Sequence, residues 1–190
     1  MNLFEFDKSF LTDKSKILAG ADEVGRGTLA GPVVASMVVF PPYFHSEDKL
    51  LNELNDSKKI SPKKRELFYA IIKEKAIAFS TCFIDAKTID EINILNATKL
   101  AMQNCLTEIN KFHQPELLLI DGNFKIKTHI QQKSIIKGDS KSASIAAASI
   151  LAKVERDRFM EQLDEKYPVY GFKDHKGYGC QKHIDAIKKY

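Results

Sequence analysis

The chain has 190 residues, 29 Lys and Arg against 25 Asp and Glu for a net charge of +4, 44% hydrophobic residues, and only 9 Gly and 6 Pro. Those values are ordinary for a globular protein and exclude disorder, collagen-like repeats and fibrous architecture, while the length suits one domain. Three cysteines (Cys82, Cys105, Cys180) are odd in number and far apart, so they form no disulfide framework and fit a reducing cytoplasm.

The N-terminal stretch MNLFEFDKSFLTDKSK carries acids in its first ten residues and no apolar core, which argues against a signal peptide. The longest apolar runs, VVASMVVF and LLLI, are far short of a membrane span, so no membrane partner is expected. Ile17–Ala21 reads as a first strand, ending in Asp22-Glu23 and a Gly-rich turn. Val33–Phe40, stopped by Pro41-Pro42, reads as a second strand, and Ile77–Ile84 as a third. Ser61-Pro62 supplies an N-cap and a Pro at the first helical position, opening a helix to about Lys75. Residues from Thr88 to about Lys111 have helical periodicity. Glu116–Ile120, ending in Asp-Gly-Asn, reads as a buried central strand, and Lys133–Ile136 as a fifth strand. Ser142–Asp164 opens with small residues that would let a helix pack very close to the sheet, and Gln181–Lys189 forms a last helix. The βββαβαβ-like order argues an α/β fold with a mixed sheet.

Charge is uneven along the chain. Residues 58–65 (KKISPKKR) carry five basic side chains and no acid, while residues 124–141 and 173–190 each carry five Lys. Such patches suit phosphates, and equally a solvated surface. Asp22, Glu23, Asp121 and Asp139 fall at strand ends or a helix start, where ligand sites of α/β sheets lie. Four clustered carboxylates repel one another unless cations neutralise them, and hard divalent ions such as Mg²⁺ or Mn²⁺ prefer such oxygens. Two ions about 3.5–4 Å apart could activate water and stabilise a leaving oxygen in phosphodiester cleavage. Each acid has a plainer alternative: Asp139 as a helix cap, Asp121 as turn chemistry. A dinucleotide site fails, because Gly25-Arg26-Gly27 leads through Pro32 into a strand rather than a helix.

Gly20-Ala-Asp-Glu-Val-Gly-Arg-Gly27 followed by Leu29-Ala-Gly-Pro-Val-Val34 resembles the first signature of the type 2 ribonucleases H, the ribonuclease HII family. Asp56-Ser-Lys-Lys59, Leu119-Ile-Asp-Gly-Asn123, Gly138-Asp139, Ser144–Ser149, Ala152-Lys-Val154, Arg156-Asp157 and His175-Lys-Gly-Tyr-Gly179 with His183 are similar to its later motifs, in order. The resemblance implies an RNase H-like fold: a five-stranded mixed central sheet flanked by helices, with a core at about 15–165 and a helical, substrate-contacting C-terminal extension at about 166–190.

It also implies cleavage of the RNA strand of RNA/DNA hybrids and incision 5′ to single ribonucleotides in duplex DNA, by a monomer. Asp22, Glu23, Asp121 and Asp139 would be the catalytic carboxylates, holding Mn²⁺ or Mg²⁺, two ions per site. Gly25, Arg26, Gly27 and Tyr178 would read the RNA–DNA junction, although Tyr178 alone could be a structural aromatic. Lys58 would contact phosphate, as would Ser142 and Ser144, unless these serines cap a helix. His175, Cys180 and His183 have a superficially zinc-like spacing with no fourth ligand in view. Two departures stand out. Cys180 occupies a position where members usually have threonine, and many members continue past Tyr190 in a basic tail, which bears on affinity more than chemistry. The short lead before the first strand also separates the chain from the ribonuclease HIII group.

Overall fold

The structure is a computed structural model in which residues 2–11, 17–42, 51–54, 57 and 60–190 are described. Five strands, β1 (Leu18–Val24), β2 (Val33–Val39), β3 (Ala78–Ile84), β4 (Leu117–Asp121) and β5 (Gln131–Ile135), form one sheet in the order β3-β2-β1-β4-β5. β2 runs antiparallel to β1 and β3, while β4 runs parallel to β1 and β5. β2 is buried along its whole length, which is why it reads as an apolar run rather than an alternating one, interrupted by Ser36, whose hydroxyl pairs with that of Thr81. The mixed five-stranded sheet is the one expected, and a helix, α2 (Pro62–Lys75), lies between β2 and β3 as the Ser61-Pro62 start predicts. Only the βββαβαβ-like order is corrected, because α2 interrupts the first three strands and no helix separates β4 from β5. In that crossover Phe124 and Ile126 join the core in place of a helix, and Gln132 bonds both the N–H and the C=O of Ile126.

The expected helix at 88–111 is two, α3 (Ala86–Ile92) and α4 (Ile94–Ile109), because Asn93 takes φ 66°. Its side chain accepts the Asn96 N–H and so caps α4; a short amide side chain tolerates positive φ and competes with helical bonding. Helix α4 covers one face of the sheet. The other face carries α2 and the long α5 (Ala143–Lys166), whose first turns are nearly all Ala and small residues. Gly20 shows how close α5 comes: a Cβ there would stand 2.3 Å from the Ser144 carbonyl carbon. Two short helices, α6 (Phe172–His175) and α7 (Gln181–Lys189), form the C-terminal extension. Among the described residues, no helix is long and apolar enough to cross a membrane.

A further helix, α1 (Leu3–Lys8), opens with a capping box between Asn2 and Glu5. It delivers Asp7 to the start of α5, where Oδ2 accepts the Ser144 N–H and hydroxyl at 2.8 Å each. Burial lifts the Asp7 pKa from 3.8 to about 6, against the lowering effect of the Ser142 and Ser144 bonds. The folded pKa is raised above the unfolded one, so this contribution to stability is complete below pH 3.8 and is lost as pH rises through about 6. The loss is of the order of 3 kcal/mol. Asp7→Asn keeps an acceptor for the Ser144 N–H without the charge. Its melting temperature is expected to exceed that of the parent at pH 8 and to converge with it as pH falls towards 3.8. An equal deficit at both pH values would contradict this.

Candidate active site

Asp22 and Glu23 were expected at the C-terminal end of the first strand and lie there: β1 runs through them to Val24, with Asp22 opposite Ser36 and Glu23 opposite Ala35. The parallel register pairs Ala21 with Ile120, which sets Asp22 abreast of Asp121 at the end of β4. Strand alternation puts Asp22 on the same face as Gly20, towards α5, where the Ser149 hydroxyl bonds it. Asp139 lies in a 3-10 turn (Gly138–Ser140), and the Gly138 N–H donates to Asp121 Oδ1 at 2.6 Å, tying the two acidic segments together. Ser142, not Asp139, is the N-cap of α5, so the capping explanation for Asp139 falls away. All four acids line one cavity of about 470 Å³, together with Ser57, Arg65, Ser149, Lys153 and Tyr178.

The electrostatics of this cavity are strained. Asp22 is 5% exposed, and its pKa is pushed well above the ordinary carboxylate value, first by burial and then by the charges of Glu23 and Asp121. The Ser149 hydroxyl and the Glu23 N–H, which Asp22 Oδ1 accepts at 2.7 Å, offset this in part. Glu23 Oε1 lies 3.3 Å from the Arg26 guanidinium. The two cations deeper in the lining, Arg65 and Lys153, are paired with Asp157 at 3.7 and 2.7 Å. Among the described residues, no three His, Cys, Asp or Glu are drawn together closely enough to chelate an ion. The charges of Glu23 and Asp121 act against ionisation of Asp22, and divalent cations would relieve that repulsion. The donor set fits hard cations: all oxygen, all anionic, all on one cavity.

The glycine-rich turn and Tyr178 meet beside the carboxylates. Thr28 and Tyr178 form an antiparallel bridge, and the Leu29 N–H donates to Gly177 O at 2.9 Å. Gly25 has φ 105°, and a Cβ there would lie 2.5 Å from Pro32 O, so both conformation and space require glycine. Gly27 differs: a Cβ would meet nothing within 4 Å. Arg156, on α5, is fully buried and fastens this assembly from beneath. Its Nε donates to Pro32 O at 2.9 Å, Nη1 to Lys176 O at 2.8 Å, and Nη2 to Thr28 Oγ1 and Ala30 O at 2.9 and 3.0 Å.

Gly25, Arg26, Gly27 and Tyr178 are thus brought together beside the four acids. Lys58 lies outside the described residues. Ser142 and Ser144 do not reach the cavity: they are 0% and 3% exposed, one capping α5 and the other bonded to Asp7. Their expected phosphate contact is corrected: Ser142 takes the capping alternative, while the Ser144 hydroxyl is committed to Asp7 at the buried start of α5. Arg65, Ser149, Lys153 and Arg156 were given no role from sequence. Arg156 had a legible signal, since it follows Ala152 and precedes Met160 at helical spacing on the buried stripe of α5.

The family model of ribonuclease HII matches residues 19–190. The ribonuclease HII of Endomicrobium trichonymphae is 50% identical over the whole chain, which spans 87% of that protein. The chain spans 66% and 63% of two further ribonucleases HII, from Acetivibrio thermocellus and Bacillus cereus, at 51% and 54% identity. Among solved structures, ribonuclease H2 from Pyrococcus horikoshii superposes with a TM-score of 0.74 at 26% identity, over 92% of this chain and 86% of that one. A ribonuclease HIII solved in complex with Mn²⁺ shares the fold, with a TM-score of 0.69 at 19% identity over 92% and 70% of the two chains. With a match over nearly its full length, a fold in common and an acidic cavity at the end of the central strands, the chain belongs to the ribonuclease HII family of nucleases.

Proposed function

We propose that the chain cleaves the RNA strand of RNA/DNA hybrids and incises 5′ to single ribonucleotides embedded in duplex DNA, leaving a 3′-hydroxyl and a 5′-phosphate. The observation that carries this is the convergence of four carboxylates on one cavity beside a glycine turn bridged to an exposed tyrosine. Asp22, Glu23, Asp121 and Asp139 would hold two divalent cations, Mg²⁺ or Mn²⁺. Such ions activate water and neutralise charge at a scissile phosphodiester. The remaining residues bind and orient the duplex.

Gly27 supports close approach from outside, because nothing inside the protein requires glycine there. The turn backbone offers N–H and C=O groups to a 2′-hydroxyl, the group that separates RNA from DNA. Tyr178, 38% exposed, presents its ring to pack on the sugar that follows the ribonucleotide. The Lys153 ammonium lies 5.9 Å from that ring's centroid, and both line the cavity, which supports a phosphate held beside the stacked sugar. Lys58 would add a further phosphate contact. The working unit would be a cytoplasmic monomer.

The test is cleavage of a labelled RNA/DNA hybrid with its product ends identified. A 3′-hydroxyl that a polymerase extends is expected, and cyclic-phosphate ends would contradict the reaction. Tyr178→Ala is expected to lower kcat/KM on a duplex with one ribonucleotide by roughly 10- to 100-fold. Its melting temperature should change little, because the ring is exposed. Duplex affinity should also fall with salt, with a log–log slope of about −0.9 for each phosphate contacted. Salt-independent affinity would rule out phosphate contacts as the main grip.

A further inference from the structure

His175 and His183 are taken up by neither the carboxylate site nor the glycine turn, yet both grip the segment that carries Tyr178. Their rings stack with centroids 4.3 Å apart and planes 18° from parallel. His183 is fully buried, and its Nδ1 lies 2.9 Å from the Tyr178 carbonyl oxygen. A carbonyl only accepts, so Nδ1 carries the proton. His175 is arranged the other way round: its Nδ1 accepts the Gly177 N–H at 3.2 Å, and its Nε2 donates to Tyr170 O at 2.8 Å. The two rings therefore hold opposite tautomers, fixed by backbone groups on either side of the Gly177–Tyr178 peptide. Phe172 closes the stack edge-on, with its centroid 5.5 Å from that of His183. The fourth ring nitrogen, His183 Nε2, is buried with no hydrogen-bond partner among the described residues.

A buried nitrogen without a partner costs stability, so packing alone would favour an apolar ring or aliphatic side chain at position 183. What a hydrocarbon could not supply is the Nδ1–H bond to the Tyr178 carbonyl. The zinc-like spacing of His175, Cys180 and His183 has the same explanation. Three of the four ring nitrogens are committed to backbone, and Cys180 is exposed at the start of α7.

We propose that His175 and His183 are positioning residues, a stacked clamp that fixes the Tyr178 turn against the glycine turn and so sets how sharply the enzyme recognises a ribonucleotide junction. This rests on the reading of Tyr178 as the residue that packs on the substrate sugar. The clamp acts only through Tyr178, which separates it from a general structural role.

The test is a double-mutant cycle on a duplex with one ribonucleotide, using Tyr178→Ala, His183→Leu and the double variant, with His183→Asn restoring a donor near Nδ1. His183→Leu is expected to lower kcat/KM by roughly 10-fold or more, as a misplaced contact does. In the Tyr178→Ala background it should cost less than about twofold further, because coupled residues are non-additive. His183→Asn should recover part of the loss. If His183→Leu does not fold, His175→Phe, at a half-buried position, takes its place in the same cycle. Losses that multiply in the double variant would overturn the clamp while leaving the role of Tyr178 intact. An undiminished Tyr178→Ala enzyme would overturn that role, and the clamp with it.

Discussion

Asp121→Asn is expected to abolish activity, by roughly 10²- to 10³-fold or more, in a protein as stable as the parent or more stable. The variant keeps the shape of the site. An amide oxygen can still accept the Gly138 N–H that Asp121 Oδ1 holds at 2.6 Å, so the turn bearing Asp139 stays tied to the end of β4. What it removes is one of the anionic oxygens proposed to hold the cations, and one of the two charges that raise the pKa of Asp22. An acid with a raised folded-state pKa loses stability as pH rises from its unfolded to its folded value. Weakening the Asp121 contribution therefore returns stability at neutral and higher pH. Activity and melting temperature should move in opposite directions, and measuring both on one preparation checks this. An Asn variant with parental activity would remove Asp121 from the site, and one that failed to fold would make it a structural acid.

Arg156→Met should produce the second large effect, and on both properties. The substitution keeps an apolar stem in the stripe between Ala152 and Met160 but deletes donors to Pro32 O, Lys176 O, Ala30 O and Thr28 Oγ1. Each buried polar group left unpaired costs about 1–3 kcal/mol, so a total loss above ~3 kcal/mol is expected. For a chain of this size that lowers the melting temperature by roughly 10 °C. Well below that temperature, kcat/KM should still fall by about 10²-fold, because the glycine turn and the Tyr178 segment are no longer fastened to each other from beneath. Arg156→Lys should recover little, since an ammonium cannot serve four acceptors spread around a planar fork. A Met variant destabilised yet fully active at low temperature would reduce Arg156 to a stability residue.

The sequence was most legible where a local rule sufficed. The Val-rich β2, the Ser61-Pro62 helix start and the small-residue opening of α5 follow from patterning, and the four acids were singled out by asking which carboxylates stand at strand ends or a helix start. Legibility failed where a partner is remote. Ser144 bonds Asp7 at a separation of 137 residues, so nothing near Ser144 signals that its hydroxyl is consumed. Arg156 reaches 124 to 128 residues back to Pro32, Ala30 and Thr28; its buried position was readable, but its acceptors were not. The break at Asn93 was hidden because apolar positions continue across it, and only a local φ of 66° divides the helix. Tyr178 could not be told from a structural aromatic by spacing; its bridge to Thr28 beside the acidic cavity is a tertiary fact.

The most direct measurement is incision of a labelled DNA duplex containing one ribonucleotide, with Mn²⁺, with Mg²⁺ and with chelator, beside an all-DNA duplex of the same sequence. Metal-dependent cutting 5′ to the ribonucleotide, absent from the all-DNA duplex and abolished by chelator, is the expected result. Cutting of the all-DNA duplex at the same rate, or cutting undiminished by chelator, would contradict the account at its centre: four carboxylates that need cations, beside a turn and a tyrosine that read the ribose.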